Sequence, residues 1–211
     1  MFKAFFLIFE PRTAWERIAG ARRGFAFILG WYLLPMILLP AAAEGWSMER
    51  WGRWQPKFQR FMDFSLHDIV VFETIQAALL LAMVLLAAQM LLVFSRTFQA
   101  FQKQRRYLDA FTTVAYSYSP LLLLRLLDAS PAVSPWVSWG IGITLAVWVL
   151  YQGIPHVMQP DPTHAFGLYF AGIFVMVLSS ALVRVPTALY LLGEVGFHHS
   201  GLAHKFPGLF Q

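Results

Sequence analysis

Cysteine is missing from all 211 residues, which excludes a disulfide framework, a thiolate metal site and a cysteine nucleophile. Charge is scarce as well: Asp, Glu, Lys and Arg make up 13% of the chain, where a soluble domain carries about 25%. There is no internal repeat, no Gly/Ser linker and no low-complexity tract, so nothing divides the chain into soluble modules. HExxH, a Walker loop, GxSxG and a strand-borne GxGxxG are all lacking, and no residues form a nucleophile, base and orienter set. On these grounds no catalytic residue, cofactor or metal is expected, and the protein is expected not to be an enzyme.

What the chain has instead is apolar length. Hydrophobic residues are 58% of the total and the mean hydropathy is +0.58. Stretches of about 18 or more residues without a charge, or with one near an end, are what a bilayer-spanning helix needs. Five such stretches occur, at Phe25 to Ala43, Ile69 to Phe94, Leu108 to Leu127, Trp136 to Ile154 and Ala165 to Val185. The fold class is therefore all-α, a polytopic transmembrane helical bundle of five spans plus short interfacial helices. The second span, about 26 residues or ~39 Å long at 1.5 Å per residue, must tilt or protrude from a core about 30 Å thick. Residues 1–24 read as an N-terminal interfacial amphipathic segment, 25–185 as the five-span domain and 186–211 as a C-terminal tail.

The flanks supply orientation and interface contacts. "MFKAFFLIFEPRTAWERIAG" has too short an apolar core and too little leading charge for a signal peptide, so it is expected to stay on the protein. Phe2, Phe5, Phe6 and Phe9 share one helical face, and Pro11 opens a second short helix carrying Trp15 and Ile18 on one side. Such a segment either lies in the headgroup plane or packs on the bundle. In "EGWSMERWGRWQPKFQRFMDFSLHD" three of the eight tryptophans alternate with charge, an aromatic belt. After Pro56, a surface helix is expected with Phe58, Phe61, Met62 and Ser65 on one face. The net charge of +5 resides between apolar spans, where it meets lipid headgroups rather than nucleic acid. Nine Lys and Arg residues flank one side of the membrane (Lys3, Arg12, Arg17, Arg22, Arg23, Arg96, Lys103, Arg105, Arg106) and seven the other, Arg125 and Arg184 among them. That bias places the N-terminus in the cytoplasm.

Polar residues inside spans are few. In "AYSYSPLLLL" Pro120 frees the carbonyl of Tyr116, which a neighbouring hydroxyl must satisfy in hydrocarbon; Ser117 and Ser119 are at hand. Asp109, Thr112, Thr113, Tyr116 and Ser119 form a polar stripe facing other helices or a cavity, while Leu122, Leu123 and Leu126 suit lipid. The stripe is either structural glue or a substrate or headgroup site. Glu73 is the one carboxylate clearly inside a span, five residues past Asp68, the expected N-cap, and pairing with a loop arginine is the favoured reading. His156 and His164 bracket Asp161, and His198, His199 and His204 lie in the tail, but their spacing matches no zinc motif.

These pieces resemble the Yip1 domain family, five-span membrane proteins with a cytosolic N-terminus. The resemblance rests on "FEPRTAWERIAG", "YLDAFTTVAYSYSPLLLL", "WVLYQGIPHVM" and "AFGLYFAGI". The family's Tyr-rich, Pro-containing third span corresponds to Ala115 to Pro120, including Tyr116, Tyr118, Ser119 and Pro120. Its aromatic–x–Gly turn corresponds to Tyr151, Gly153 and Pro155. Eukaryotic relatives act in vesicle trafficking and bind small GTPases through a longer N-terminal region with a DLYGP-like motif, which this sequence lacks. The resemblance thus implies a bacterial-type member in the inner membrane. The expected function is a non-enzymatic integral membrane protein working through contacts with the lipid bilayer or with other membrane proteins or itself. Two alternatives stand beside it: an accessory subunit packing through "WGIGIT" and "FAGIF", and a small transporter or channel with a path at Glu73, Tyr116 and Ser119.

Overall fold

The computed structural model describes residues 2–55, 60–62, 64–97, 107–130, 133–161 and 165–192, and of residues 2–5, 53–55 and 60–62 the backbone alone. Five helices long and apolar enough to cross a membrane run over Phe25–Trp51, Leu66–Thr97, Tyr107–Ala129, Pro135–Met158 and Ala165–Leu191. They match the five expected spans, and four of them run three to eight residues past their expected C-terminal ends. One charge in those extensions, Glu44, is buried against Arg125 of the third span.

The third span is the hub. Of its most apolar window 72% is buried, against 28–44% for the other four, because the other four spans pack around it. Leu122, expected to suit lipid, is therefore buried, and only Leu126 of the three leucines is exposed. The helix breaks at Tyr118, between Tyr107–Ser117 and Ser119–Leu124. Pro120 lacks the N–H that would bond the Tyr116 carbonyl, and the Ser119 hydroxyl donates to that carbonyl instead, at 2.6 Å. Gly142 of the fourth span lets the third approach, since a Cβ there would lie 3.1 Å from the Leu121 Cα.

Ahead of the spans, α1 (Phe2–Phe9) buries Leu7 and leaves Phe6 and Phe9 outward. Helix α2 (Pro11–Ala21) buries Ala14, Trp15 and Ile18. Trp15 donates from Nε1 to the Val149 carbonyl at 3.1 Å and stands edge-on to Tyr116, centroids 6.2 Å apart. Its indole occupies the space a side chain would need at Gly153, where a Cβ would come within 3 Å of three indole carbons. Pro155 follows inside a π-helical turn, Ile154–Met158, a common way for a helix to absorb a proline. Gly153 thus forms the seat on which Trp15 docks α2.

Two local expectations are corrected. Instead of a surface helix after Pro56, β1 (Arg53–Gln55) pairs antiparallel with β2 (Arg60–Met62), Trp54 opposite Phe61. The alternation of aromatic and charged residues suits a ribbon as well as a helix, and pairing satisfies the backbone locally. Pro56 and Phe58 lie outside the described residues. The cap of the second span is Ser65 rather than Asp68: Ser65 Oγ accepts from the Asp68 N–H at 3.1 Å and donates to Asp68 Oδ2 at 2.7 Å, which satisfies one of the free N–H groups of the first turn.

Candidate functional site

All five spans contribute to a buried polar cluster at the end of the bundle opposite the N-terminal helices. Glu44 comes from the first span, Glu73 and Gln76 from the second, Arg125 and Asp128 from the third, Ser138 from the fourth, and Arg184 and Thr187 from the fifth. Alternating span direction puts the C-terminal ends of spans one, three and five beside the N-terminal ends of two and four. Residues 52 to 81 positions apart therefore meet.

One half of the cluster centres on Arg184. Its Nη1 and Nη2 donate to the two Asp128 oxygens at 2.7 and 2.9 Å. Nε donates to the Pro135 carbonyl at 3.1 Å, Nη2 reaches that carbonyl too, and Nη2 meets Ser138 Oγ at 2.8 Å. Ser138 in turn donates to Asp128 Oδ1. This two-pronged pairing is the strongest geometry a guanidinium offers.

The other half centres on Arg125, which donates through Nη2 alone, to Glu73 Oε2 at 2.6 Å and Glu44 Oε2 at 3.1 Å. Its Nε and Nη1, the Glu73 Oε1 and the Gln76 Oε1 are buried without a hydrogen-bond partner among the described residues. Glu44 is fully buried. Three carboxylates against two guanidiniums leave the cluster one formal negative charge in excess. Gln76, Arg125, Asp128, Ser138 and Arg184 line a cavity of ≈ 30 Å³, which is room for about two water molecules.

Glu73 also forms part of a larger groove of ≈ 590 Å³ between the first and second spans, with Leu38, Ala41, Ala42, Gly45, Trp46 and Glu49 on one wall. A second groove of ≈ 210 Å³ lies between the second and fifth spans, beside Phe72, Ile75, Thr187 and Tyr190.

Of the residues singled out in the sequence, Glu73 pairs as expected, but with the span-borne Arg125. Tyr116 and Ser119 lie elsewhere. Tyr116 is fully buried, its ring 4.2 Å from that of Tyr32, and Ser119 is bonded to the Tyr32 hydroxyl and the Tyr116 carbonyl. Tyr118 bonds the Met176 carbonyl and Ser179 Oγ at 3.1 and 2.7 Å. Neither Tyr116 nor Ser119 lines the groove beside Glu73. Tyr151 is half exposed against Tyr169. Glu44, Arg125, Asp128 and Arg184 were missed because they fall at or just past the expected span ends, where a charge reads as a flanking residue; the signal was a charge at one end of four spans. His156 bonds the Gln152 carbonyl at 2.7 Å, and the tail histidines lie outside the described residues.

A family model described as "Yip1 domain" matches residues 5–184. No curated protein and no solved structure matches the chain.

Proposed function

The chain belongs to the Yip1 domain family, and from that premise we propose that it is a non-enzymatic integral membrane protein acting through lipids or other membrane proteins in the plane of the bilayer. One observation carries this reading. Most hydroxyls and charges of the interior are consumed by bonds within the bundle, whereas the two large concavities lie between spans and are walled by outward residues such as Leu38, Trp46, Val70 and Ile75. Lipid tails and partner helices approach from that direction.

The membrane is the bacterial inner membrane, with the N-terminus cytoplasmic. Arg125 and Arg184 are buried in ion pairs and drop out of the loop charges that set topology, so the opposing count falls from seven to five against nine. Phe6 and Phe9, outward on α1, anchor the N-terminal segment in the headgroup layer.

An accessory-subunit role has its own support. Phe166, Phe170, Phe174, Leu178 and Leu182 recur every four residues on the fifth span and are all exposed, a continuous ridge for a partner helix. Native mass spectrometry after extraction in a mild detergent tests both. Bound lipid or a discrete heavier assembly is the expected result; a bare 24.0 kDa monomer with neither would overturn the reading.

A further inference from the structure

We infer that the groove between the first and second spans binds a phospholipid with a primary-amine headgroup, its ammonium on Glu73 and Glu49 and one acyl chain along the groove floor. This rests on the reading that the protein works through membrane contacts and names the lipid class.

The groove is polar at one end and apolar at the other. Along the first span its wall runs Glu49, Trp46, Gly45, Ala42, Ala41, Leu38, and along the antiparallel second span Leu66, Val70, Glu73, Thr74, Ala77. From Glu49 to Leu38 is ~16 Å of helix, the reach of a large part of an acyl chain. Ala41, Ala42 and Ala77 keep that lower stretch shallow in side chain, so the space is real rather than filled.

The mouth lies at headgroup depth. Trp46 and Trp51 are exposed and stand edge-to-face at 5.2 Å, as tryptophans do where hydrocarbon meets headgroups. Glu49 is exposed there, and the Arg50 guanidinium lies 5.8 Å from the Trp46 ring. One turn deeper, Glu73 keeps 12% of its side chain exposed, with Oε2 on Arg125 and Oε1 buried and unpartnered among the described residues.

Charge selects the headgroup. The groove lining carries two carboxylates and no cation, and the cluster behind it is one positive charge short. An ammonium supplies that charge, while the lipid phosphate falls toward Arg50 at the rim. A glycerol or inositol headgroup brings the phosphate without the cation and meets repulsion from both glutamates.

The test is binding of the full chain, in dodecyl maltoside, to dioleoylphosphatidylethanolamine or dioleoylphosphatidylglycerol, read by native mass spectrometry and Trp fluorescence. A preference of roughly tenfold for the ethanolamine lipid is expected, the size of one charge-assisted hydrogen bond. Glu49→Gln should lower the preference, and Ala42→Phe, which fills the groove from an exposed position away from the ion pairs, should reduce binding of both lipids. Equal or reversed preference, or binding unmoved by Ala42→Phe, would overturn the inference and leave the broader reading standing. A protein partner displaced by Ala42→Phe would do the same, and retention of neither lipid nor protein would sink both.

Discussion

Arg184 and Arg125 are buried alike and meet carboxylates at the same end of the bundle, yet they are held in opposite ways. Arg184 uses Nε, Nη1 and Nη2, pairs one carboxylate with two-pronged geometry and forms a neutral unit with Ser138 and the Pro135 carbonyl. Arg125 uses one nitrogen on two carboxylates and leaves Nε, Nη1 and two acceptor oxygens nearby unbonded among the described residues. A saturated, neutral pair stabilises one arrangement and has nothing left to offer a ligand. An unsaturated pair with surplus negative charge costs more to bury and retains bonding capacity. The first has the character of a structural clamp and the second of a binding site.

The most damaging way to break the contrast is Asp128→Ala, which strands the Arg184 guanidinium. Loss of one partner of a buried pair costs about 3–5 kcal/mol, so the variant should fail to give a monodisperse peak on size-exclusion chromatography in detergent. Replacing both partners, Asp128→Leu with Arg184→Met, should recover most of the folded yield, because no uncompensated charge remains. Equal damage from the single and double changes would mean that the clamp's shape matters more than its charge.

A lysine at each position separates the two regions more finely. Arg184→Lys surrenders the fork that serves Asp128, Ser138 and Pro135, and about 2–3 kcal/mol should go with it. Arg125→Lys gives up only one nitrogen that is bonded, so a smaller loss than at Arg184 is expected. Thermal unfolding of both variants in one detergent, followed by near-UV circular dichroism, ranks them. An Arg125→Lys protein that melts below Arg184→Lys would refute the division into clamp and site.

The sequence made the spans visible because crossing hydrocarbon demands a long apolar run, and it made the Tyr116 carbonyl visible because a proline acts on a carbonyl only four residues away. The ion cluster was hidden for the converse reason. Arg125 meets Glu44 across 81 positions and Arg184 meets Asp128 across 56, and hydropathy scores each charge alone as though it faced lipid. Paired, they let the helices continue to Trp51, Ala129 and Leu191, past the places where an unpaired charge would end a span. Glu73 was legible as a group in search of an arginine, but which arginine depended on the packing of spans one to three. The Trp15 seat on Gly153 was half legible: both residues stood in the quoted motifs, and only the fold joins them.

Glu73→Gln should have the smallest effect on stability and is the sharpest test of the Arg125 half. The amide carbonyl still accepts from Arg125 Nη2, Glu44 remains as its counter-charge, and the cluster loses only its surplus negative charge, so the melting temperature should move by no more than about 2–4 °C. Binding of an amine-headed lipid should fall in the same protein, because the amide is neutral and holds no ammonium. Stability kept and selectivity lost is the signature of a carboxylate retained for what it binds. A large fall in melting temperature would instead make Glu73 a necessary member of the fold, and the two halves of the cluster would then be one structural unit.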